Sequence, residues 1–209
     1  MAQKKNLIRY GNSKLHKDGI GSFSLPAGMT CPYAGECAKW CYARTGTFRF
    51  IQVREFYEFC LRITKQKGFE DRIVEQIISD HARGKLSVLR IHASGDFYSQ
   101  EYFDKWVRIA YRVPDVILYA YTKSLPFIRD NLPRNLVIIQ SEGGRLKIDK
   151  RKKHAVVFPS EEEAIKAGYN IANGSDLVAL GYRKVALISH GEKKSLFNRM
   201  FYQKESVEQ

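Results

Sequence analysis

The sequence predicts an α/β fold, a partial (β/α) barrel of five to six units with an amino-terminal loop that contains cysteines. Short apolar runs typical of buried parallel strands recur along the chain, and patterns of helices with one apolar face separate them. Eight such units would need about 250 residues, whereas the chain has 209. We therefore expect one domain, with an irregular metal-binding segment at 1–45, the βα units at 46–190 and a tail at 191–209. An open sheet is the alternative architecture.

The helices are predicted from the spacing of apolar residues and from capping residues. Four residues recur at the i, i+3, i+4, i+7 spacing of one buried helical face: Phe56, Phe59, Cys60 and Ile63. This spacing predicts a helix at about 48–67. A second helix ends near Gly84, and a third begins after Ser99, whose hydroxyl can cap it. Ser160 and Glu163 have the spacing of a capping box and predict the start of another helix.

Five runs rich in β-branched and aliphatic residues are predicted strands. They lie at Leu86–His92, Val116–Tyr121, Leu136–Gln140, Ala155–Phe158 and Val185–Ser189. The glycine-rich stretch Tyr10–Tyr42 has little periodicity, which predicts an ordered loop rather than a packed element. Since parallel sheets carry their chemistry at the carboxyl ends of the strands, the residues that follow these runs are the first candidates for a site.

The charge of the chain indicates the class of its partner. Lys and Arg number 35 against 22 Asp and Glu, which gives a net charge of +13. Such a balance favours a nucleic acid, with DNA as the first choice. No apolar run approaches the roughly 18 residues that a membrane span needs. The basic start has no apolar stretch behind it, so we expect a cytoplasmic, reducing location, in the host cell if a phage encodes the chain.

Three of the four cysteines lie close together, as Cys31-x5-Cys37-x3-Cys41. In a reducing compartment such a cluster predicts a metal site rather than a disulfide, and ligation would order the loop. Zinc usually takes four ligands, often in Cys-x2-Cys pairs that are absent here, so three thiolates favour an iron–sulfur cluster. Zinc remains the alternative, with a fourth ligand from His16, His92 or Cys60. Cysteines buried without any metal are the simpler reading, above all for Cys60 on its apolar helix face.

Polar residues follow three consecutive predicted strands. The first strand is followed by Ser94-Gly95-Asp96, the second by Lys123 and the third by Glu142. A shared site at these strand ends predicts four catalytic candidates: Asp96, His92, Lys123 and Glu142. The alternative is that Asp96 caps a helix, that His92 is a core histidine, that Lys123 is a solvated loop lysine and that Glu142 is a turn residue.

Six cations within nine residues follow the third of these strand ends. They are Arg145, Lys147, Lys150, Arg151, Lys152 and Lys153. This density predicts contacts with the phosphates of a nucleic acid. A solvated basic loop is the alternative.

Three segments, Gly11–Leu15, Cys31–Ala43 and His92–Ser99, resemble the bacteriophage gene-product-eighty-eight family. The resemblance extends from about residue 6 to residue 144. The order of the motifs is also similar to that of phage proteins resembling radical S-adenosylmethionine enzymes. In those enzymes three cysteines spaced Cys-x3-Cys-x2-Cys, with an aromatic residue before the last, hold a four-iron, four-sulfur cluster on a partial barrel. Here an aromatic residue precedes the last cysteine, but the spacing is x5 and x3.

This second resemblance implies that Cys31, Cys37 and Cys41 are iron ligands and that Ser94 and Gly95 bind S-adenosylmethionine. It implies a phage enzyme that modifies nucleic acid. Two alternatives fit the same residues. One is a DNA base-exchange transglycosylase that inserts a 7-deazaguanine, with Asp96 as nucleophile. The other is a non-catalytic, zinc-stabilised protein that binds nucleic acid or inhibits a host protein.

Overall fold

A curled sheet of parallel strands, shaped like half a barrel, organises the chain. The computed structural model describes residues 5–10, 15, 17–172, 175–190 and 194–208. Its strands are β1 (Ile20–Phe23), β2 (Val88–Ile91), β3 (Ile117–Thr122), β4 (Leu136–Ser141), β5 (His154–Phe158), β6 (Asn170–Ile171) and β7 (Lys184–Ile188). They pair in the order β1-β2-β3-β4-β5-β7-β6, each parallel to its neighbour. The predicted α/β class and its barrel-like character are confirmed.

The helices are amphipathic segments between the strands. They are α1 (Ile51–Thr64), α2 (Phe69–Ala82), α3 (Gln100–Arg112), α4 (Glu161–Lys166), α5 (Val178–Gly181) and α6 (Lys194–Glu208). The Ser99 hydroxyl accepts the backbone N–H of Tyr102 and starts α3, and Ser160 accepts that of Glu163 and starts α4. Both predicted caps are therefore confirmed. No helix in the described ranges combines the length and apolarity needed to span a bilayer.

The two faces of the sheet bury different cores, because side chains alternate along each strand. On one face Leu89, Ile91 and Leu118 pack against α1, α2 and α3. Trp106 of α3 lies at the centre of that core, with its ring 5.4 Å from that of Phe23. The opposite face buries a smaller set: Leu15, Ile20, Val88, Tyr119, Ile139, Ala155, Ala172, Ala179 and Val185. This second face is left free of the long helices α1 to α3.

Two strands lie outside the five predicted runs. β1 falls within Tyr10–Tyr42, so the prediction that this stretch holds no packed element is wrong. Its sequence Ile-Gly-Ser-Phe interrupts the apolar pattern, but Gly21 is needed for packing, since a Cβ there would lie 2.7 Å from atoms of Ile8 and Leu86. β6 has two residues, too few to show a periodicity.

The segment predicted as a tail forms α6. The Phe197 ring lies 4.8 Å from that of Trp40 in the cysteine loop, and Phe201 packs against Phe158 of β5. Residues 191–193 and 209 lie outside the described ranges. The i, i+4 pair of phenylalanines was the available signal for this helix.

Candidate functional site

Asp96 joins the carboxyl ends of β2 and β3. Its Oδ1 accepts the Phe97 N–H at 2.7 Å and the Thr122 hydroxyl at 2.6 Å, and its Oδ2 accepts the Lys123 N–H at 2.8 Å. The residue is 6% exposed. Burial raises the pKa of Asp96, while the hydrogen bonds from Thr122, Lys123 and Phe97 act to lower it. Both carboxylate oxygens are thus engaged in holding two strand ends together.

Lys123 continues this connection to β4. Its Nζ donates to the Ser141 hydroxyl at 2.7 Å, and its side chain is half-buried. The structure therefore brings together Asp96 and Lys123, two of the four predicted catalytic residues. Glu142 is exposed. Burial raises the pKa of Tyr169, which packs beside β5, and the charge of Glu142 acts in the same direction. Within the described residues no hydrogen bond or ion pair joins Glu142 to Asp96 or Lys123.

His92 is turned into the core between the sheet and the helices. It adopts a left-handed backbone conformation (φ 65°), is 3% exposed, and shares a 2.9 Å hydrogen bond between Nε2 and the Tyr102 hydroxyl. Its ring lies 4.7 Å from that of Phe97. Burial, aided by the charge of Arg90, lowers the pKa of His92 to about 3. This is the environment of a neutral core histidine, so the geometry does not support His92 as an acid–base group of the strand-end site.

The cysteine loop, residues 24–50, connects β1 to α1 and lies across the carboxyl ends of β2 and β4. The Leu25 N–H donates to the Ser94 carbonyl, and the Ser94 hydroxyl donates back to the Leu25 carbonyl at 2.9 Å. Farther along, the Cys37 N–H donates to the Gly143 carbonyl at 3.1 Å and the Arg145 N–H to the Tyr33 carbonyl at 3.0 Å. These contacts order the loop, and its sequence pattern does not reveal them.

Two glycines bring the loop into direct contact with the strand ends. Gly95 has φ +84°, and a Cβ there would lie 2.6 Å from the Thr30 hydroxyl and 2.7 Å from the Leu25 Cβ. Gly144 lies between Lys123 and the Tyr33 carbonyl, where a Cβ would be 3.0 and 3.1 Å from its neighbours. The structure shows Ser94 and Gly95, predicted to bind a cofactor, as the surface on which the loop packs.

The three cysteines of the loop are half-buried, and Cys31 and Cys37 lie close enough to Asp96 for its charge to act on them. Burial raises the pKa of Cys31 to about 11, and the charges of Asp96, Cys41 and Cys37 act in the same direction. Burial also raises the pKa of Cys37, while the Lys123 ammonium acts to lower it. In the described part of the chain, no group of three or more His, Cys, Asp or Glu side chains is placed to hold a metal ion.

The other residues proposed to complete a metal site lie elsewhere. Cys60 is fully buried on α1 in the core, near the charges of Arg9 and Lys5 rather than the strand ends. His92 faces the aromatic core, as described above. His16 lies outside the described residues.

A buried polar cluster on the opposite face of the sheet was missed by the sequence reasoning. Arg90 of β2 donates to Asp176 at 2.8 Å, and the Tyr119 hydroxyl donates to the same carboxylate oxygen at 2.8 Å. The Arg90 guanidinium lies 5.0 Å from the Tyr121 ring. Among the described residues, the buried Arg90 Nε and Tyr121 hydroxyl have no hydrogen-bond partner. A charged residue within the apolar run Leu86–His92 was the available signal.

The predicted phosphate-binding run is largely occupied by contacts within the protein. Arg151 pairs with Asp149 at 3.0 Å and Lys152 with Asp130 at 3.4 Å. Three backbone carbonyls, those of Ala179, Leu180 and Tyr182, accept from the Lys153 Nζ. The Arg145 Nε donates to the Ala34 carbonyl. Lys147 and Lys150 are exposed and have no ion pair with any described residue.

Comparisons with known proteins confirm the resemblance to the gene-product-eighty-eight family. The family described as Gene product 88 matches residues 2–199. The Gene 88 protein of Mycobacterium phage L5 is 33% identical over 116 residues, 49% of this chain and 47% of the relative. The matched part thus spans about half the length of that curated relative. No solved structure matches the chain. Since the family match covers nearly all of the sequence, the chain belongs to the gene product 88 family.

Proposed function

We propose that this protein is a phage enzyme that modifies nucleic acid, with an iron–sulfur cluster on Cys31, Cys37 and Cys41 and S-adenosylmethionine as cofactor. The observation that supports the proposal most is the position of the cysteine loop. The loop lies on the carboxyl ends of β2 and β4, beside the Asp96–Lys123 connection. Parallel (β/α) folds carry their chemistry at this edge.

The donor set fits an iron–sulfur cluster better than structural zinc. Within the described residues the loop offers three thiols, whereas Cys60 and His92, two of the three candidates for a fourth zinc ligand, are committed to the core. Structural zinc is almost always held by four protein ligands, while iron–sulfur clusters are held by cysteine thiolates. Because burial keeps the thiols of Cys31 and Cys37 protonated, ligation must release protons. An iron–sulfur cluster with S-adenosylmethionine supplies radical chemistry.

The other residues of the site hold and orient the loop. Asp96 fixes the backbone of Lys123, whose ammonium donates to the Ser141 hydroxyl and acts through its charge on Cys37. A positive charge at this position favours the thiolate form of Cys37 over the thiol. Gly95 and Gly144 let the loop approach the strand ends closely. In this proposal Asp96 is a positioning residue.

The base-exchange alternative requires a carboxylate that can attack a sugar carbon. Asp96 is the only carboxylate proposed for that role, and three donors occupy its two oxygens. The nucleophilic role is therefore disfavoured. The zinc-stabilised binder differs from our proposal in its metal, which a direct measurement distinguishes.

Metal analysis of anaerobically purified protein tests the proposal. We expect a brown protein with stoichiometric iron and a broad absorbance near about 400 nm. Cys37→Ser should lose the iron, whereas the control Cys60→Ala, in the core, should retain it. A colourless protein with stoichiometric zinc would indicate the zinc-stabilised binder, and a protein without metal would overturn both metal sites.

A further inference from the structure

A cleft of about 480 Å³ opens between the cysteine loop and the start of α1. Three arginines line it, together with aromatic side chains and the strand-end residue Ser94: Arg44, Arg49, Arg54, Phe48 and Tyr57. Clefts of roughly 300–1,000 Å³ are of the size that holds a small ligand or one unit of a larger one. The cleft lies beside the proposed catalytic site, because Ser94 belongs to the same strand end as Asp96.

The three arginines of this cleft differ from other arginines of the described chain in their partners. Within the described residues, Arg44, Arg49 and Arg54 make neither an ion pair nor a side-chain hydrogen bond. By contrast, Arg108 and Arg129 of the helical face each pair with a carboxylate at 2.7 Å. The carboxylate of Glu58 also lines the cleft. The net charge of the side chains that line it is therefore +2.

Two further features of the cleft favour a phosphate group. Arg44 is held against the loop, because its Nη2 occupies the space where a Cβ of Gly28 would lie. The first turn of α1 contains no acidic residue, and its N-cap residue Phe50 makes no side-chain capping bond. The positive end of the helix dipole therefore adds to the field of the arginines.

The cleft also has an aromatic wall and an apolar rim. The Phe48 ring lies 5.7 Å from that of Tyr42 and 6.3 Å from that of Tyr57. Met29, which also lines the cleft, is 70% exposed, and Phe50, next to Arg49 in the chain, is 59% exposed. Phe48 and Tyr57 are half-buried and so are only partly accessible. Aromatic rings beside cations are the combination that binds unpaired nucleotides, since bases stack on the rings while phosphates contact the cations.

We propose that this cleft binds an unpaired nucleotide of a nucleic-acid strand, with its phosphate on Arg44, Arg49 and Arg54 and its base against Phe48 and Tyr57. The proposal deepens the proposed function and rests on it in one respect, that nucleic acid is the substrate. It assigns the binding of nucleic acid to the cleft rather than to Arg145–Lys153, where most cations already have partners within the protein.

The test is the salt dependence of binding to a short, fluorescently labelled single-stranded DNA, measured by anisotropy with the protein as purified. The variant is Arg44→Gln/Arg49→Gln/Arg54→Gln. The matched control is Arg62→Gln/Lys65→Gln/Lys67→Gln, which removes the same charge at the other end of α1. Each phosphate contact contributes about 0.7 to the slope of log K against log salt for single strands. We therefore expect the cleft variant to lose about 2 units of slope, and the control to lose far less.

Equal losses in the two triple variants would overturn the proposal, because the cleft would then act only as part of a general positive surface. Loss of binding in Lys147→Gln/Lys150→Gln, with the cleft variant unchanged, would also overturn it. The single variant Arg49→Gln, with an expected loss of about 0.7 unit of slope, preserves the test if the triple variant does not fold. Iron content is measured separately, so a colourless protein that binds DNA through the cleft would overturn the cluster and leave the cleft in place.

Discussion

Replacing Asp96 by Asn tests whether this carboxylate holds the strand ends together. An amide has one accepting oxygen and one donating NH2 group, whereas the carboxylate accepts three hydrogen bonds through two oxygens. If the amide oxygen takes the Oδ1 position, the NH2 group faces the Lys123 N–H. In the opposite orientation the NH2 group faces the Phe97 N–H. In either case a buried backbone N–H loses its acceptor.

The geometry sets the size of the effect. A hydrogen bond to a charged group contributes about 1.5–3 kcal/mol, and a buried donor left without an acceptor costs about 1–3 kcal/mol. We therefore expect Asp96→Asn to lower the free energy of unfolding by about 3 kcal/mol. For a chain of this length, 1 kcal/mol corresponds to about 2–4 °C in Tm, so the expected decrease is about 6–12 °C.

Thermal and urea unfolding followed by far-ultraviolet circular dichroism measure this change. Asp115→Asn is the control, because Asp115 is exposed and should change stability by less than about 0.5 kcal/mol. Thr122→Val removes one of the three donors and also the hydroxyl that accepts the Ser124 N–H, so it should lower the free energy of unfolding by an amount comparable to that of Asp96→Asn. An Asp96→Asn protein with the Tm and urea midpoint of the wild type would refute the structural role and return Asp96 to the list of chemically reactive groups.

Two further predictions concern the core histidine and the loop contact. The pKa of His92 is about 3 when folded and about 6.5 when unfolded, so only the unfolded chain gains a proton as the pH falls through this window. The free energy of unfolding should therefore decrease from pH 6.5 towards pH 3 by up to about 1.4 kcal/mol per pH unit. Urea unfolding measures this change at pH 7 and pH 5. The difference in unfolding free energy between these two pH values should be smaller in His92→Asn than in the wild type. Gly95→Ala should destabilise the protein by more than the roughly 1–2 kcal/mol of left-handed backbone strain, because the new Cβ also meets the cysteine loop.

A specific experimental result would contradict each of these two predictions. An unchanged pH dependence in His92→Asn would show that another group causes the loss of stability in acid. Gly46→Ala is the control for Gly95→Ala, since Gly46 has φ +53° and nothing within 4 Å of a Cβ. Equal decreases in Tm for the two alanine variants would show that backbone strain alone is responsible and that the loop does not pack on Gly95.

The sequence predicts what depends on local pattern. The caps at Ser99 and Ser160 and the apolar strands β2 to β5 and β7 follow from residues close together in the chain. The orientation of the His92 side chain does not follow from such local patterns, because it depends on the left-handed backbone of His92 at the end of β2. Nor does the pairing of Arg90 with Asp176, which lies 86 residues away. Lys152 was interpreted as a free cation for the same reason, since its partner Asp130 belongs to another segment.

The anchors of the cysteine loop have a consequence for the order of assembly. Parallel strands lack hairpins, so β1 can pair only after β2 has been synthesised, and the loop contact between Ala34 and Arg145 joins residues 111 positions apart. A chain that folds from its amino end during translation thus carries the three thiols without fixed positions until β4 has joined the sheet. Insertion of the proposed iron–sulfur cluster into the native loop would then be a late event, which follows the completion of the first four strands.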